Sequence, residues 1–266
     1  GQDGYRTIET DETFAMNPEA LENAIADDVR AGIRPCAIVA TMGTTSTASV
    51  DPIGPIVEIA RRHDVWLHVD GAYGGPVAML PEAAPWFAGW EQADSIVVNP
   101  HKWLFTPIDC SVLFCRRPDV LKQAFSIVPE YLRSSEQAES RSLMDYGVSL
   151  GRRFRALKLW FVMRYFGQEG LVERLRDHLR MASSFADAIR AEDGWEVMAP
   201  VDLGLVTFRC TLAETPEDQD RINHEIMNAV NTSGQAFLTH TVLNGRVVLR
   251  LAIGNIKTTP AHVMAT

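Results

Sequence analysis

Three short apolar runs constrain this chain most: CAIVATMG at 36–43, VWLHVD at 65–70 and SIVVN at 95–99. Each is of strand length, rich in Val and Ile, and closed by polar or turn-forming residues. Between the first two lies IGPIVEIARRH (53–63), whose apolar residues recur at helical spacing. Before them PEALENAIADDVRA (18–31) places Leu21, Ala24, Ile25 and Val29 on one stripe, with Gly32 as the residue that closes it. Continuous apolar strands alternating with amphipathic helices predict a mainly parallel sheet with helices on both faces, joined by right-handed crossovers. SVLFCR (111–116) continues that sheet and, after so short a loop, can run antiparallel. CAIVATMG reads as a buried strand.

In an open α/β sheet, ligands bind beyond the carboxyl ends of parallel strands. Two reactive residues fall there, Asp70 at the end of WLHVD and Lys102 just after SIVVNP. Lysine is normally a solvated surface charge. One held among Pro100, His101 and Trp103 is expected to lose part of its hydration, which favours the neutral amine that attacks an aldehyde. Asp70 could be a turn or capping residue before Gly71. Paired with a lysine, it matches the way proteins hold pyridoxal phosphate: Schiff-base lysine plus a carboxylate at the pyridine nitrogen. Gly43-Thr44-Thr45-Ser46 follows the first strand, again at a carboxyl end, and is by itself an ordinary polar turn. His68 lies two residues before Asp70 on the same side of its strand. His-x-Asp without a third ligand at useful spacing is a weak metal pattern, so no metal is expected.

The stretches VATMGTTSTASVDP, WLHVDGAYGG, ADSIVVNPHKWL, PEYLR and LGRRFRALKLWFVMRYFG occur in order across most of residues 14–256. In these the chain resembles the group II pyridoxal-phosphate-dependent amino-acid decarboxylases, nearest to those acting on aromatic L-amino acids. The resemblance implies an α/β fold of the pyridoxal-phosphate-dependent transferase type (fold type I) followed by a small α+β domain. It makes Lys102 the cofactor lysine and Asp70 the partner of the ring nitrogen. Ala72 becomes a small residue against one ring face, and Asn99 and His101 neighbours of the phosphate, His101 also near the substrate. Thr45 becomes a hydroxyl near the ring's 3′ oxygen. Tyr131, in PEYLR, becomes the group that helps return a proton to Cα; relatives with phenylalanine there make aldehydes oxidatively. Gly71 departs from the alanine more usual in the family. His68 is expected to be a histidine satisfied within the core, and Arg152, Arg153 and Arg155 to form structural or interface ion pairs.

Residues 126–148 are polar and without apolar period, which predicts a mobile loop. From 151 to 191 two helices are expected, divided at Gly167, the first apolar on most faces and therefore buried. WEVMAP, LGLVTFRC, a helix at 216–231, QAFLTHTV and RVVLRLAI then form the small α+β part. The expected division is 1–165, the second half of the large cofactor domain, and 166–266, the smaller domain cut short. Thr259-Pro260 announces a further helix. The family's N-terminal segment, with its phosphate-binding loop and ring-stacking histidine, has no counterpart, and the sequence reads as a fragment.

The 266 residues are 46% hydrophobic, enough for a substantial core, and 25 Lys+Arg against 34 Asp+Glu give a net charge of −9. Nucleic acid is not an expected partner. Cys36, Cys110, Cys115 and Cys210 contain no CxxC pair, three of them lying in apolar runs as small buried residues, which fits a reducing cytoplasm. No signal peptide or membrane span is read, so a soluble enzyme is expected. The implied activity is decarboxylation of an aromatic amino acid to its amine and carbon dioxide by a homodimer with the site at the subunit boundary. Glutamate- or histidine-type decarboxylases, an aminotransferase or desulfurase, and an inactive binding module are the alternatives. The GTTS and PEYLR stretches and the lack of a cysteine in the 126–148 loop argue against the second.

Overall fold

The computed structural model describes residues 4–126 and 142–266. Helix α1 (Pro18–Arg30) begins at Asn17, whose side-chain oxygen accepts from the Glu19 and Ala20 amides at 2.9 and 3.2 Å. It leads to β1 (Ala37–Thr41), α2 (Ile53–Arg62), β2 (Trp66–Asp70), β3 (Ser95–Val98), the one-turn helix α3 (Pro100–Trp103), β4 (Val112–Cys115) and α4 (Pro118–Phe125). These strands form one sheet in the order β1-β2-β3-β4, the first two pairings parallel and the last antiparallel. The register sets Thr41 beside Asp70 and Asp70 beside Val97, so the ends of all three parallel strands are level.

Helix α5 (Arg155–Ala191) breaks at Gly167, whose φ of 65° and ψ of 176° separate two helical segments, as the sequence predicts. Its second segment buries Leu171, Val172, Leu175, His178, Met181, Ala182, Phe185 and Ala186, one stripe at spacings of three and four. Val172 and Leu175 join the core of the first sheet, and Met181, Phe185 and Ala186 that of the second. The second sheet contains β5 (Trp195–Val197), β6 (Leu205–Cys210), β7 (Thr239–Leu243) and β8 (Arg246–Ala252), all antiparallel in the order β5-β6-β8-β7. Helix α6 (Pro216–Ser233) packs on β8 and β6. Helix α7 (Pro260–Met264) opens with Thr259 in a capping box with His262.

Three expectations are corrected. Strand β1 is not fully buried: Ile38 and Ala40 face the core while Val39 is 54% exposed. The first segment of α5 is not buried either, with Trp160 at 52%, Phe161 at 58% and Tyr165 at 82% exposure. An apolar period shows that a face avoids water, not what covers it. Of the cysteines, Cys110 and Cys210 are buried, Cys36 is exposed and Cys115 lies between; all four are free. The residues of the loop predicted at 126–148 are described only at its edges, where Leu143–Tyr146 form a 3₁₀ turn against α4.

Candidate active site

A cavity of about 180 Å³ opens where the carboxyl ends of β1 and β2 meet the second sheet. Asp70, Ala72, Thr45 and Lys102 all line it. Asp70 ends β2 and lines the cavity, and its Oδ1 accepts the Ala72 N–H at 2.9 Å, fixing one carboxylate oxygen. Asn99 N–H donates to the Ala72 carbonyl at 3.2 Å, so the chain leaving β3 is tied to the loop leaving β2. Pro100 starts α3 at a position where its missing N–H costs nothing, and the Lys102 amide donates to the Asn99 carbonyl at 2.9 Å.

Trp103 anchors that turn. It is fully buried, its ring is stacked on Tyr73 with centroids 4.8 Å apart, and its indole N–H donates to His178 Nδ1 at 2.9 Å. Burial lowers the His178 pKa, and accepting at Nδ1 places the proton of the neutral ring on Nε2. With Trp103 driven inward, Lys102 is directed outward. The lysine is exposed, so the desolvation expected from its Pro, His and Trp neighbours is not supplied by the described residues.

Asn99 and His101 do not line the cavity itself but flank it. The buried side-chain oxygen of Asn99 has no partner among the described residues. His101 Nδ1 lies 2.6 Å from the Cys110 carbonyl oxygen and 3.0 Å from its amide nitrogen, donating to one or accepting from the other according to tautomer. Either way Nε2 is the ring nitrogen left for a ligand. His68 is satisfied inside the fold as expected: its Nδ1 lies 2.8 Å from Ser95 Oγ, and burial lowers its pKa against the opposing pull of Asp70. Among the described residues no cluster of His, Cys, Asp or Glu could hold a metal ion. Arg155 Nε donates to Asp109 Oδ2 at 2.8 Å, with Arg153 3.6 Å from Oδ1, the ion pairs predicted for this cluster. Tyr131 lies outside the described residues.

The turn after β1 is built on itself. The Gly43 and Thr44 amides both donate to the Ser49 carbonyl at 3.0 Å, and the Thr44, Thr47 and Ser49 hydroxyls form a chain with links of 2.9 and 2.7 Å. Gly43 needs its φ of +94°, and a Cβ there would meet Leu203 Cδ1 at 2.8 Å. Asp51, its carboxylate accepting the Met16 and Thr41 amides at 2.7 Å each, ties the returning chain to β1.

The second sheet contributes Leu205, Arg250 and Ala252 to the cavity, and the loop after β2 contributes Tyr73, none of which the sequence reading singled out. The hydroxyl of Tyr73 is buried without a partner among the described residues, and that burial raises its pKa. Arg250 left a signal: a charged residue within RVVLRLA, a strand otherwise apolar beyond its first residue, must find partners.

An amine, an anchored carboxylate and a small residue on one cavity, a hydroxyl-bearing turn and two buried polar ends without a partner among the described residues suit a planar, polar aldehyde. This is the class of site that binds pyridoxal phosphate, and the residues present fit that group. The conserved domain of the pyridoxal-dependent decarboxylases matches residues 2–211, and the chain belongs to that family. It is 40% identical to tyrosine decarboxylase 2 of Narcissus pseudonarcissus over 98% of this chain and 53% of the relative. It is 38% identical to a phenylacetaldehyde synthase of a Rosa hybrid cultivar, covering 98% and 54%. The crystal structure of Oryza sativa TDC with PLP and tryptamine superposes with a TM-score of 0.92 at 40% identity, covering 98% of this chain and 55% of that one. The α/β fold with its mainly parallel sheet and its small antiparallel C-terminal part is thus that of the fold-type-I decarboxylases. The chain spans about half the length of the relatives it matches.

Proposed function

We propose that this chain carries the lysine and carboxylate half of an active site that uses pyridoxal phosphate to decarboxylate an aromatic L-amino acid, releasing the amine and carbon dioxide. The observation that carries this reading is the meeting of Asp70 and Lys102 on one cavity at the strand ends. When bound, the cofactor supplies an electron sink for the pair of electrons left at Cα. Lys102 would hold the cofactor aldehyde through its amine. Asp70, its Oδ1 held by the Ala72 amide, keeps a proton on the pyridine nitrogen through Oδ2. Ala72 leaves room for the ring to lie flat. Thr45 presents a hydroxyl to the ring oxygen, Asn99 its amide to the phosphate, and His101 its Nε2 toward phosphate and substrate. Tyr131 returns the proton to Cα.

The test is to add pyridoxal phosphate to the purified chain, record the visible absorbance band, and repeat with Lys102→Ala. A band that needs Lys102 supports the reading; a band of equal strength in the variant overturns it. Tryptophan, tyrosine, DOPA and phenylalanine are then compared as substrates by amine and carbon dioxide released. A second reading, oxidative aldehyde formation, has the phenylacetaldehyde synthase match in its favour. Tyr131 speaks against it, and aldehyde with hydrogen peroxide in place of amine would establish it.

A homodimer is part of the proposal. Phe154, Trp160, Phe161, Met163 and Tyr165 are each exposed at the start and along the first segment of α5, apolar side chains of the kind a second subunit covers. A division near 165–166 is supported by the break at Gly167. Four free cysteines fit a reducing cytoplasm. Among the described residues no helix is long and apolar enough to cross a membrane.

A further inference from the structure

The turn that presents Thr45 is gripped from the other sheet. Arg250, on β8, reaches across about two hundred positions of sequence to both outward carbonyls of that turn. Its Nε donates to the Ser46 carbonyl at 3.1 Å and one terminal nitrogen donates to the Thr45 carbonyl. The other terminal nitrogen donates to Thr239 Oγ1 at 2.9 Å, on the neighbouring strand β7 and directly opposite Arg250 in the ladder. Ser46 Oγ lies 3.2 Å from Thr241 Oγ1, a second link from the same turn to β7. Inside the turn the Gly43 and Thr44 amides donate to the Ser49 carbonyl and the Ala48 amide to the Thr44 carbonyl, and among the described residues the donor to the Thr45 and Ser46 carbonyls is the guanidinium.

The same guanidinium lines the cavity with Asp70, Tyr73 and Lys102. It is half-buried, and a guanidinium keeps its charge even so. Its planar fork is what allows one side chain to meet two carbonyls and a hydroxyl at once; the single nitrogen of lysine cannot.

We propose that Arg250 is a positioning residue: from the C-terminal sheet it fixes the Thr45–Ser46 turn, and so sets where the Thr45 hydroxyl meets the cofactor ring. Cofactor affinity then depends on how β7 and β8 dock against the first sheet, although neither strand supplies the lysine or the carboxylate. This rests on the reading of Thr45 as a cofactor contact.

The test compares the chain with Arg250→Met, Arg250→Lys, Thr45→Val and the double variant Arg250→Met/Thr45→Val. Hydrogen exchange at the Gly43, Thr44 and Ala48 amides reports the turn without any cofactor. Titration with pyridoxal phosphate, followed by the band that needs Lys102, reports affinity. In Arg250→Met, exchange at the three turn amides should rise roughly ten-fold or more while amides of β6 in the second sheet stay protected. Affinity should fall roughly ten-fold, the loss of one charge-assisted hydrogen bond. Thr45→Val should lose a similar factor and the double variant little more, because the arginine acts through the threonine. Arg250→Lys should recover only a small part.

Unchanged exchange in Arg250→Met, losses that multiply in the double variant, or full recovery in Arg250→Lys would each overturn the proposal. Should Arg250→Met unfold the chain, Arg250→Gln carries the same comparison. A wild-type chain with no Lys102-dependent band counts against the proposed function instead, and the exchange comparison then decides the clamp by itself.

Discussion

The two sheets border one cavity but serve it differently. The first offers the points where its strands stop: Asp70 at the end of β2, Thr45 beyond β1, Lys102 beyond β3. The second offers side chains of the strands themselves, Leu205, Arg250 and Ala252. Within the second sheet two arginines sharpen the contrast. Arg209 on β6 is 2% exposed, and among the described residues its guanidinium bonds only to its own half of the chain: Asp220, the Val247 and Pro216 carbonyls and Gln219. Arg250 on adjacent β8 turns to the first sheet. One arginine holds a sheet together; the other holds a turn in place for a ligand.

The contrast is broken most sharply at Asp70. Asp70→Asn keeps the side chain's shape and removes the charge that, in the proposed function, holds a proton on the ring nitrogen. Decarboxylation should fall by roughly 10²–10³-fold, as when a group aimed at developing charge is removed. The band that reports Lys102 should persist, because the amine is untouched. Rate and absorbance measured on one preparation check this; a variant as fast as wild type would remove Asp70 from the chemistry.

Asp220→Asn addresses the second sheet. The Asp220 carboxylate lies 2.6 Å from the buried Arg209 guanidinium and also accepts the Val247 amide at 3.0 Å. Taking away the negative partner strands a buried cation, which costs about 3 kcal/mol or more. Urea unfolding should show that loss, with cofactor affinity unchanged in the fraction still folded. A parallel fall in affinity would mean that this sheet's internal support and the cavity are not separable.

Trp103→Phe tests the link between the lysine-bearing turn and α5. Phenylalanine can still stack on Tyr73 but cannot donate to His178 Nδ1, leaving that buried acceptor unpaired at a cost of about 2 kcal/mol. Unfolding measured beside Trp103→Leu, which loses the stacking as well, separates the two contributions.

What could be read from the sequence follows from range. Asp70, Thr45 and Lys102 were legible because strand ends are local features and open α/β sheets bind ligands there. Gly167 was legible as a break because an apolar helical period stops and restarts around it. Arg250 and Tyr73 were not, since their places depend on how β8 docks against a turn some two hundred residues earlier, and no local period encodes that. The exposure of Trp160 and Tyr165 was missed for a related reason: a helix states that a face is apolar, while its cover is decided by whatever packs on it.

The smallest expected effect lies at the surface, in two carboxylates of the first-sheet half that both pair with arginines of α5. The Arg155 hydrogen bond holds Asp109 at about 2, below its ordinary 3.8, and the Arg176 hydrogen bond holds Glu82 at about 2, below its ordinary 4.5. A carboxylate with a depressed folded value stabilises the fold above its unfolded value and loses that contribution as pH falls through the folded one. The window is therefore pH 4.5 down to 2. Both pairs are solvent-exposed, so salt screens them. Thermal unfolding followed across that window in low and in high salt should show a pH slope that high salt flattens. Glu82→Gln should flatten the slope by removing the pair that ties the 81–87 turn to α5, and Asp109→Asn by removing the one that ties the β3–β4 connection to the start of the same helix. If neither variant changes the slope, these two contacts with α5 carry no acid sensitivity, and the groups responsible lie among the other carboxylates held below their ordinary values, Asp11, Glu22, Asp218 and Asp220.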